Sequence, residues 1–385
     1  MHFGHPAPTR AAYIHIPFCL SKCHYCDFNS YPGMDSIYGE YVRALITEIE
    51  RPHGSVEKLD TIYIGGGTPT VLSTGQLGDI LSAISCSIGI SDNAEVTVEA
   101  NPGTIDELKL AQLHWLNFNR LSLGVQSFDD DYLAMLGRAH GSKQAVDAYY
   151  CARKAGFDNI SIDLIFAMPG QRLTHWENTL DAAIGLEPEH ISLYELSIEE
   201  GTLFCELCAK GEISPLGEDD QIAMYETAIA KMQEAGYEHY EVSNFARPGY
   251  RCRHNQFYWR NESYYGFGAG ATSYVAGERA VRIKDPNEYI ASIMSGGDAV
   301  ASSEGLTGRA HFAETLILGL RMIDGIDMNK LSKQTYTDIG GEFAHEIESL
   351  RSRGFVDLSK GILKVTHKGL LLLNYVSAEL ITPPD

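Results

Sequence analysis

Three cysteines stand within eight residues near the start of the chain, in Tyr13-Ile-His15-Ile-Pro-Phe-Cys19-Leu-Ser-Lys-Cys23-His24-Tyr25-Cys26-Asp-Phe28. A short apolar run that reads as a strand precedes them, so the thiols gather in a loop at that strand's end. A four-iron cluster normally takes four thiolates. The spacing CxxxCxxC offers three, leaving one iron open to a ligand that is not protein, and the open iron is where chemistry would occur. The competing reading is a structural Cys3His zinc site completed by His15 or His24, because zinc sites also use short cysteine spacings. Closed zinc sites usually bring in a second, similarly spaced pair. The pair present, Cys205 and Cys208, shares a helical spacing with Leu203, Phe204 and Leu207 and reads as packed small groups.

Other residues have weaker signals of their own. Gly65-Gly66-Gly67-Thr68 follows an apolar strand, and without a Cβ the backbone can approach a ligand closely there. Glu99, Gln126 and Asp163 fall at or near strand ends, and Arg138 follows a Leu-Gly pair. Cys252-Arg-His254-Asn255-Gln-Phe-Tyr258-Trp259 groups a histidine with aromatic faces. Taken singly, each reads as an ordinary polar residue or a buried structural histidine.

The elements that must position these residues alternate. Strands are predicted at the run before Cys19, at Thr61 to Ile64, Glu95 to Glu99, Arg120 to Val125, Asn159 to Ala167 and His190 to Leu196. Helices lie between them, one opening on a Ser73-Thr-Gly-Gln76 capping box. Such alternation implies a parallel sheet with right-handed crossovers. The polar candidates collect on the carboxyl side of the strands, which favours a partial barrel over an open sheet. Residues 245 to 305, rich in aromatics, Gly and Arg, read as an irregular segment docked on the barrel. From Gly308, helices followed by a hairpin at 355 to 365 suggest a small winged-helix-like module. The expected fold is α/β: a partial (β/α)6 barrel over 1–240, the aromatic and glycine-rich segment over 241–307, and an α+β module over 308–385.

With 30 Lys and Arg against 51 Asp and Glu, the net charge of −21 repels polyphosphate over most of the surface, so nucleic acid is not an expected partner. The carboxyl-terminal module, with 9 basic and 10 acidic residues, has no basic stripe either. No apolar run is long enough for a transmembrane segment, and the first ten residues resemble neither a signal peptide nor a transit peptide. A reducing cytoplasm is the expected compartment, since eight unevenly spaced cysteines in 385 residues do not form a disulfide framework.

The cysteine triplet with Tyr25 before its last member resembles the signature of the radical S-adenosylmethionine (SAM) proteins. Further along, Glu99-Ala-Asn-Pro, Gly124-Val-Gln126-Ser-Phe, Leu136-Gly-Arg138 and Asp163-Leu-Ile-Phe-Ala-Met-Pro-Gly-Gln look like the SAM-contacting motifs of the oxygen-independent coproporphyrinogen oxidase group. The resemblance implies a radical SAM barrel with a [4Fe-4S] cluster on Cys19, Cys23 and Cys26. It also implies SAM held by Tyr13, Tyr25, Gly66, Gly67, Thr68, Glu99, Gln126, Arg138 and Asp163.

Within that group the oxidase proper has a further cysteine two residues past the third ligand and a long amino-terminal extension. This chain has Phe28 there and reaches Tyr13 almost at once. Both features resemble the haem-chaperone class instead, which has CxxxCxxCDF and an HNxxYW motif matched here by His254, Asn255, Tyr258 and Trp259. The resemblance implies haem at those four residues, with His254 as an axial ligand. A glycine-rich stretch that often has histidine in the family has Thr272 here. The implied function is haem binding and transfer to apo-haem proteins such as respiratory enzymes. Two alternatives stand beside it: a radical enzyme acting on porphyrinogens, and a zinc-stabilised interaction protein.

Overall fold

Alternation along the barrel strands divides their side chains between two environments. Ile62 and Ile64, Val96 and Val98, Leu121 and Leu123, Ile160 and Ile162 point one way, and all are buried against helices in the main core. The residues between them are polar: Tyr63, Glu95, Thr97, Glu99, Arg120, Ser122, Ser161 and Asp163 share the other face, which lines the lumen. Strand periodicity thus builds the hydrophobic shell and the polar interior from the same segments.

The computed structural model describes residues 9–53, 57–335 and 343–381; most of the amino-terminal stretch read above for a leader lies outside them. The six expected strands are present as β1 (Ala11–Ile16), β2 (Leu59–Gly66), β3 (Ile90–Ala100), β4 (Arg120–Gln126), β5 (Ile160–Phe166) and β6 (His190–Glu195). They pair in parallel in chain order. A doubly wound sheet reverses its strand order at a switch point; this one does not. The crossover helices are α1 (Tyr38–Ile49), α2 (Thr74–Ser87), α3 (Glu107–Trp115), α4 (Ser142–Lys154) and α5 (Leu173–Gly185). The capping box at α2 forms as expected: Ser73 accepts from Gln76 N–H, and the Gln76 side chain accepts from Ser73 N–H at 2.9 Å.

After β6 the sheet continues. The hairpin β7 (Glu238–Glu241) and β8 (Asn244–Ala246) adds to β6, and the helix α6 (Arg253–Trp259) crosses to the far side. There β9 (Tyr264–Phe267) pairs in parallel with β1, followed by β10 (Thr272–Val275), β11 (Glu278–Arg282) and β12 (Val300–Gly305) in antiparallel succession. Among the described residues the result is one sheet of twelve strands. The segment expected to be irregular is therefore largely regular. Its glycines mask the pattern: Gly266 sits where a Cβ would lie 2.0 Å from the Thr272 carbonyl oxygen, so the β9–β10 pairing itself requires glycine.

The carboxyl-terminal module has a separate core of Phe312, Leu316, Phe343, Ile347, Leu350 and neighbours. Helix α7 (Gly308–Gly319) leads into it, and a three-stranded antiparallel sheet orders β13 (Ile326–Asp327), β15 (Ile362–Val365) and β14 (Val356–Ser359). This is the winged-helix-like arrangement expected. Among the described residues no helix is long and apolar enough to cross a membrane.

Candidate functional site

A cavity of about 550 Å³ opens at the carboxyl ends of the barrel strands. Cys19, Cys23 and Cys26 line it together with Tyr25, Gly66, Gly67, Thr68, Glu99, Gln126, Arg138 and Asp163, residues drawn from positions 19 to 163 of the chain. Tyr13 is not among the lining residues: its hydroxyl meets His15 Nδ1 at 2.9 Å and its ring lies 6.2 Å from that of Tyr63.

Each thiol has a polar neighbour. Cys19 Sγ is 3.5 Å from Thr68 Oγ1, Cys26 Sγ is 3.8 Å from Ser30 Oγ, and Arg138 Nη1 donates to Cys23 Sγ at 3.4 Å. The glycine run presses against the cysteine loop. A Cβ on Gly67 would fall 2.6 Å from the Phe18 carbonyl oxygen and 3.0 Å from Cys19 Sγ, and Gly66 adopts φ +115° with the His15 ring where a Cβ would go. Only glycine lets these two segments meet.

Two carboxylates line the same cavity. Glu99 accepts from the Tyr63 hydroxyl at 2.7 Å and from Gly66 N–H at 3.0 Å, and burial pushes its carboxyl up to about 7. Asp163 accepts from Ser122 Oγ at 2.9 Å and Ser161 Oγ at 3.1 Å, and burial raises it as well. Gln126 closes β4 at φ +67°, beside a register shift, an unfavourable backbone for a side chain of its size and one that recurs at ligand sites. Arg138 Nη2 donates to the Gly124 carbonyl at 2.8 Å, while its Nε is buried with no partner. A buried orphan donor with carboxylates in the same cavity suits a ligand that has both a carboxylate and positive charge.

The zinc alternative fits poorly. His15 uses both ring nitrogens, on Tyr13 and on the Asn29 carbonyl at 2.9 Å, and His24 Nδ1 is held by the Met135 carbonyl at 2.8 Å. Among the described residues no three His, Cys, Asp or Glu side chains converge as a single ion requires. A cluster whose thiolates bind separate irons has no such requirement. Cys205 and Cys208 lie half-buried on the Leu203–Ala209 helix, where Phe204 is buried and Leu203 is exposed, so the packing expected there holds only in part.

His254 is 1% exposed on α6 at the amino-terminal side of the barrel, with Nδ1 bonded to Thr61 Oγ1 at 2.9 Å and Nε2 to the Tyr258 hydroxyl at 2.8 Å. Its ring stacks on Tyr63 at 5.2 Å, and burial lowers its pKa to about 3. With both nitrogens engaged, it does not stand ready as an axial ligand. The α6 helix is a floor for the lumen. Glu95 caps it, accepting from Arg253 and His254 N–H at 3.0 Å each, and Tyr258 packs edge-on to Tyr264. Trp259 lies under the Arg321 guanidinium at 4.4 Å, toward the carboxyl-terminal module; Asn255 is half-buried. Cys252 is fully buried beside Glu95, its thiol pushed up to about 12.

Tyr63, Ser122 and Tyr194 also line the cavity, and sequence reasoning did not select them. The signal was available: Tyr63 lies two residues before Gly65 and Ser122 two before Gly124, on the same strand face.

Comparison with known proteins bears on the family and the fold. The model of the radical SAM superfamily matches residues 13–183, and that of the HemN C-terminal domain matches residues 306–372. The heme chaperone HemW of Bacillus subtilis is 39% identical over 370 residues, covering 95% of this chain and 98% of that protein. HemW of Synechocystis is 38% identical over 86% of this chain and 82% of its own length. The mitochondrial radical S-adenosyl methionine domain-containing protein 1 of Danio rerio is 32% identical over 96% of this chain and 86% of its own. Among solved structures, Escherichia coli coproporphyrinogen III oxidase (HemN) superposes with a TM-score of 0.84 at 24% identity, covering 97% of this chain and 91% of that one, a likeness of fold. By its cysteine loop, its barrel and its relatives along nearly its whole length, the chain belongs to the radical SAM superfamily and, within it, to the HemW family of haem chaperones.

Proposed function

We propose that this chain is itself a haem chaperone: it binds haem and passes it to apo-haem proteins, respiratory enzymes among them. It does so on a scaffold that holds a [4Fe-4S] cluster through Cys19, Cys23 and Cys26 and SAM in the adjoining cavity. The observation that supports the chaperone reading most is the 39% identity to a heme chaperone over 95% of the chain. When bound, the cluster and SAM supply one-electron redox chemistry. The protein's own part is positional. Arg138 Nε offers an unused donor to a carboxylate, Glu99 and Asp163 offer acceptors to ammonium and hydroxyl groups, and Gly66 and Gly67 give the ligand backbone at close range.

Phe28 bears on the porphyrinogen-oxidase alternative. It lies on the cavity wall with 64% of its surface exposed, beside Leu20 at 62%, so the position that is a cysteine in the oxidase offers an apolar lip and no thiol. That favours docking of an apolar ring system over redox chemistry at residue 28. The compartment is proposed to be a reducing cytoplasm, consistent with eight cysteines that are all free. Reconstituting the full chain anaerobically, loading haem and mixing with an apo-haem acceptor tests the reading. Transfer of the Soret band to the acceptor is expected, and a chain that never takes up haem would end it.

A further inference from the structure

Arg120 stands on the lumen face of β4, two residues before Ser122 and beside Thr97 of β3 in the strand register, 1% exposed. Its Nε and Nη1 have no hydrogen-bond partner, and neither has the neighbouring Thr97 Oγ1. A guanidinium does not shed its proton in proteins. A unit positive charge therefore sits in a low-dielectric interior, where loss of water is costly unless other charges offset it.

The offset comes at longer range from three acidic side chains on the same lumen face: Glu95 and Glu99 flank Thr97, the register partner of Arg120, and Asp163 is held by Ser122, two residues beyond Arg120. The other titratable groups facing Arg120, namely Tyr63, Tyr240, Cys252, His190 and His254, are held uncharged by burial around neutral pH. Glu95 is already committed to capping α6. Glu99 and Asp163 are the two that reach the cavity. Without Arg120, Glu99 and Asp163 would keep only Arg138, on the cavity wall, as a neighbouring cation, and buried carboxylates short of positive charge take up protons.

We propose that Arg120 is a positioning residue for the SAM-side carboxylates: from the middle of the lumen its guanidinium, with two nitrogens unpartnered, favours the charged form of Glu99 and Asp163, the form that a cationic ligand requires. This rests on the reading that SAM occupies the cavity. It adds to that reading a residue that touches neither ligand nor cluster, placed by the strand register beneath those that do.

The test has two arms on the full chain. Infrared titration of the protonated carboxyl band, assigned with Glu99→Gln and Asp163→Asn, reads the charge of the two carboxylates with no ligand present. Equilibrium dialysis of SAM across pH, on the anaerobically reconstituted chain, reads its consequence. Arg120→Met is expected to move the carboxyl midpoints up by about one pH unit or more, and so to weaken SAM binding roughly tenfold near neutrality, with the loss closing at higher pH. Arg120→Lys should return both readings toward wild type, and Arg120→Gln replaces the Met variant if circular dichroism shows that Met does not fold. Unmoved midpoints, or a SAM loss equal at every pH, overturn the proposal. If the wild type binds no SAM, the SAM reading fails, and the infrared arm still decides the role of Arg120.

Discussion

The Tyr63 hydroxyl donates to Glu99 Oε1 at 2.7 Å while Gly66 N–H holds Oε2 at 3.0 Å, so the carboxylate is aimed before any ligand arrives. Burial outweighs these two bonds and places its pKa at about 7. Below that pH the neutral acid predominates, and above it the carboxylate. SAM keeps its sulfonium charge at every pH and its ammonium up to the α-amino range near 8, so its affinity should rise from pH 6 toward pH 8 as Glu99 ionises. Glu99→Gln should lower affinity roughly tenfold at pH 8 and flatten the profile. Dissociation constants measured across that range check both, and a wild-type profile that is flat or falls with pH contradicts them.

Arg138 ties the cysteine loop to the cavity through Cys23 and has one buried donor to spare. Alanine at Cys19, Cys23 or Cys26 should abolish the broad visible absorption of the reconstituted chain. Arg138→Met should leave the cluster in place and weaken the change that SAM makes in its electron paramagnetic resonance spectrum. Zinc without iron or sulfide in the anaerobically purified chain would refute the cluster.

Gly67→Ala puts a methyl group 2.6 Å from the Phe18 carbonyl oxygen, a backbone atom that has no rotamer to yield. The cysteine loop must shift to admit it, and iron incorporation should fall while the fold, read by circular dichroism, persists. Wild-type iron content in this variant would show that the glycine run does not constrain the loop.

His254→Ala removes a buried ring and leaves Thr61 Oγ1 and the Tyr258 hydroxyl unpaired, a loss of about 2–4 kcal/mol. The imidazole has a pKa of about 3 when folded, below the 6.5 it has when unfolded, so it contributes stability above pH 6.5 that is lost as pH falls toward 3. Chemical denaturation of wild type and variant at pH 7 and pH 4.5 should show the gap narrowing on acidification. A variant as stable as wild type at both would mean that His254 is not part of the floor.

The extent to which sequence disclosed all this follows from the range of each interaction. The six strands, the α2 capping box and the cysteine loop are local patterns, and they appear where periodicity and spacing placed them. The partners Thr61 and His254 are 193 residues apart, and no local rule links the first turn of a late helix to the base of an early strand. The inward packing of the HNxxYW stretch as a floor was therefore not legible from the sequence. The strands β9 to β12 were hidden for a different reason: glycines at close approaches dilute the alternation by which a strand is recognised. Arg120 was visible only as the first residue of a strand, since its burial and missing partners exist only once the barrel has closed around it.

The central claim is that the scaffold of a radical enzyme here serves to carry haem. One anaerobic preparation of the full chain, with iron and sulfide restored and SAM present, should be given coproporphyrinogen in one portion and haem plus an apo-haem acceptor in another. The account predicts haem transfer to the acceptor and no protoporphyrinogen. Sustained conversion of coproporphyrinogen, with haem left on the chain or never bound, would contradict it.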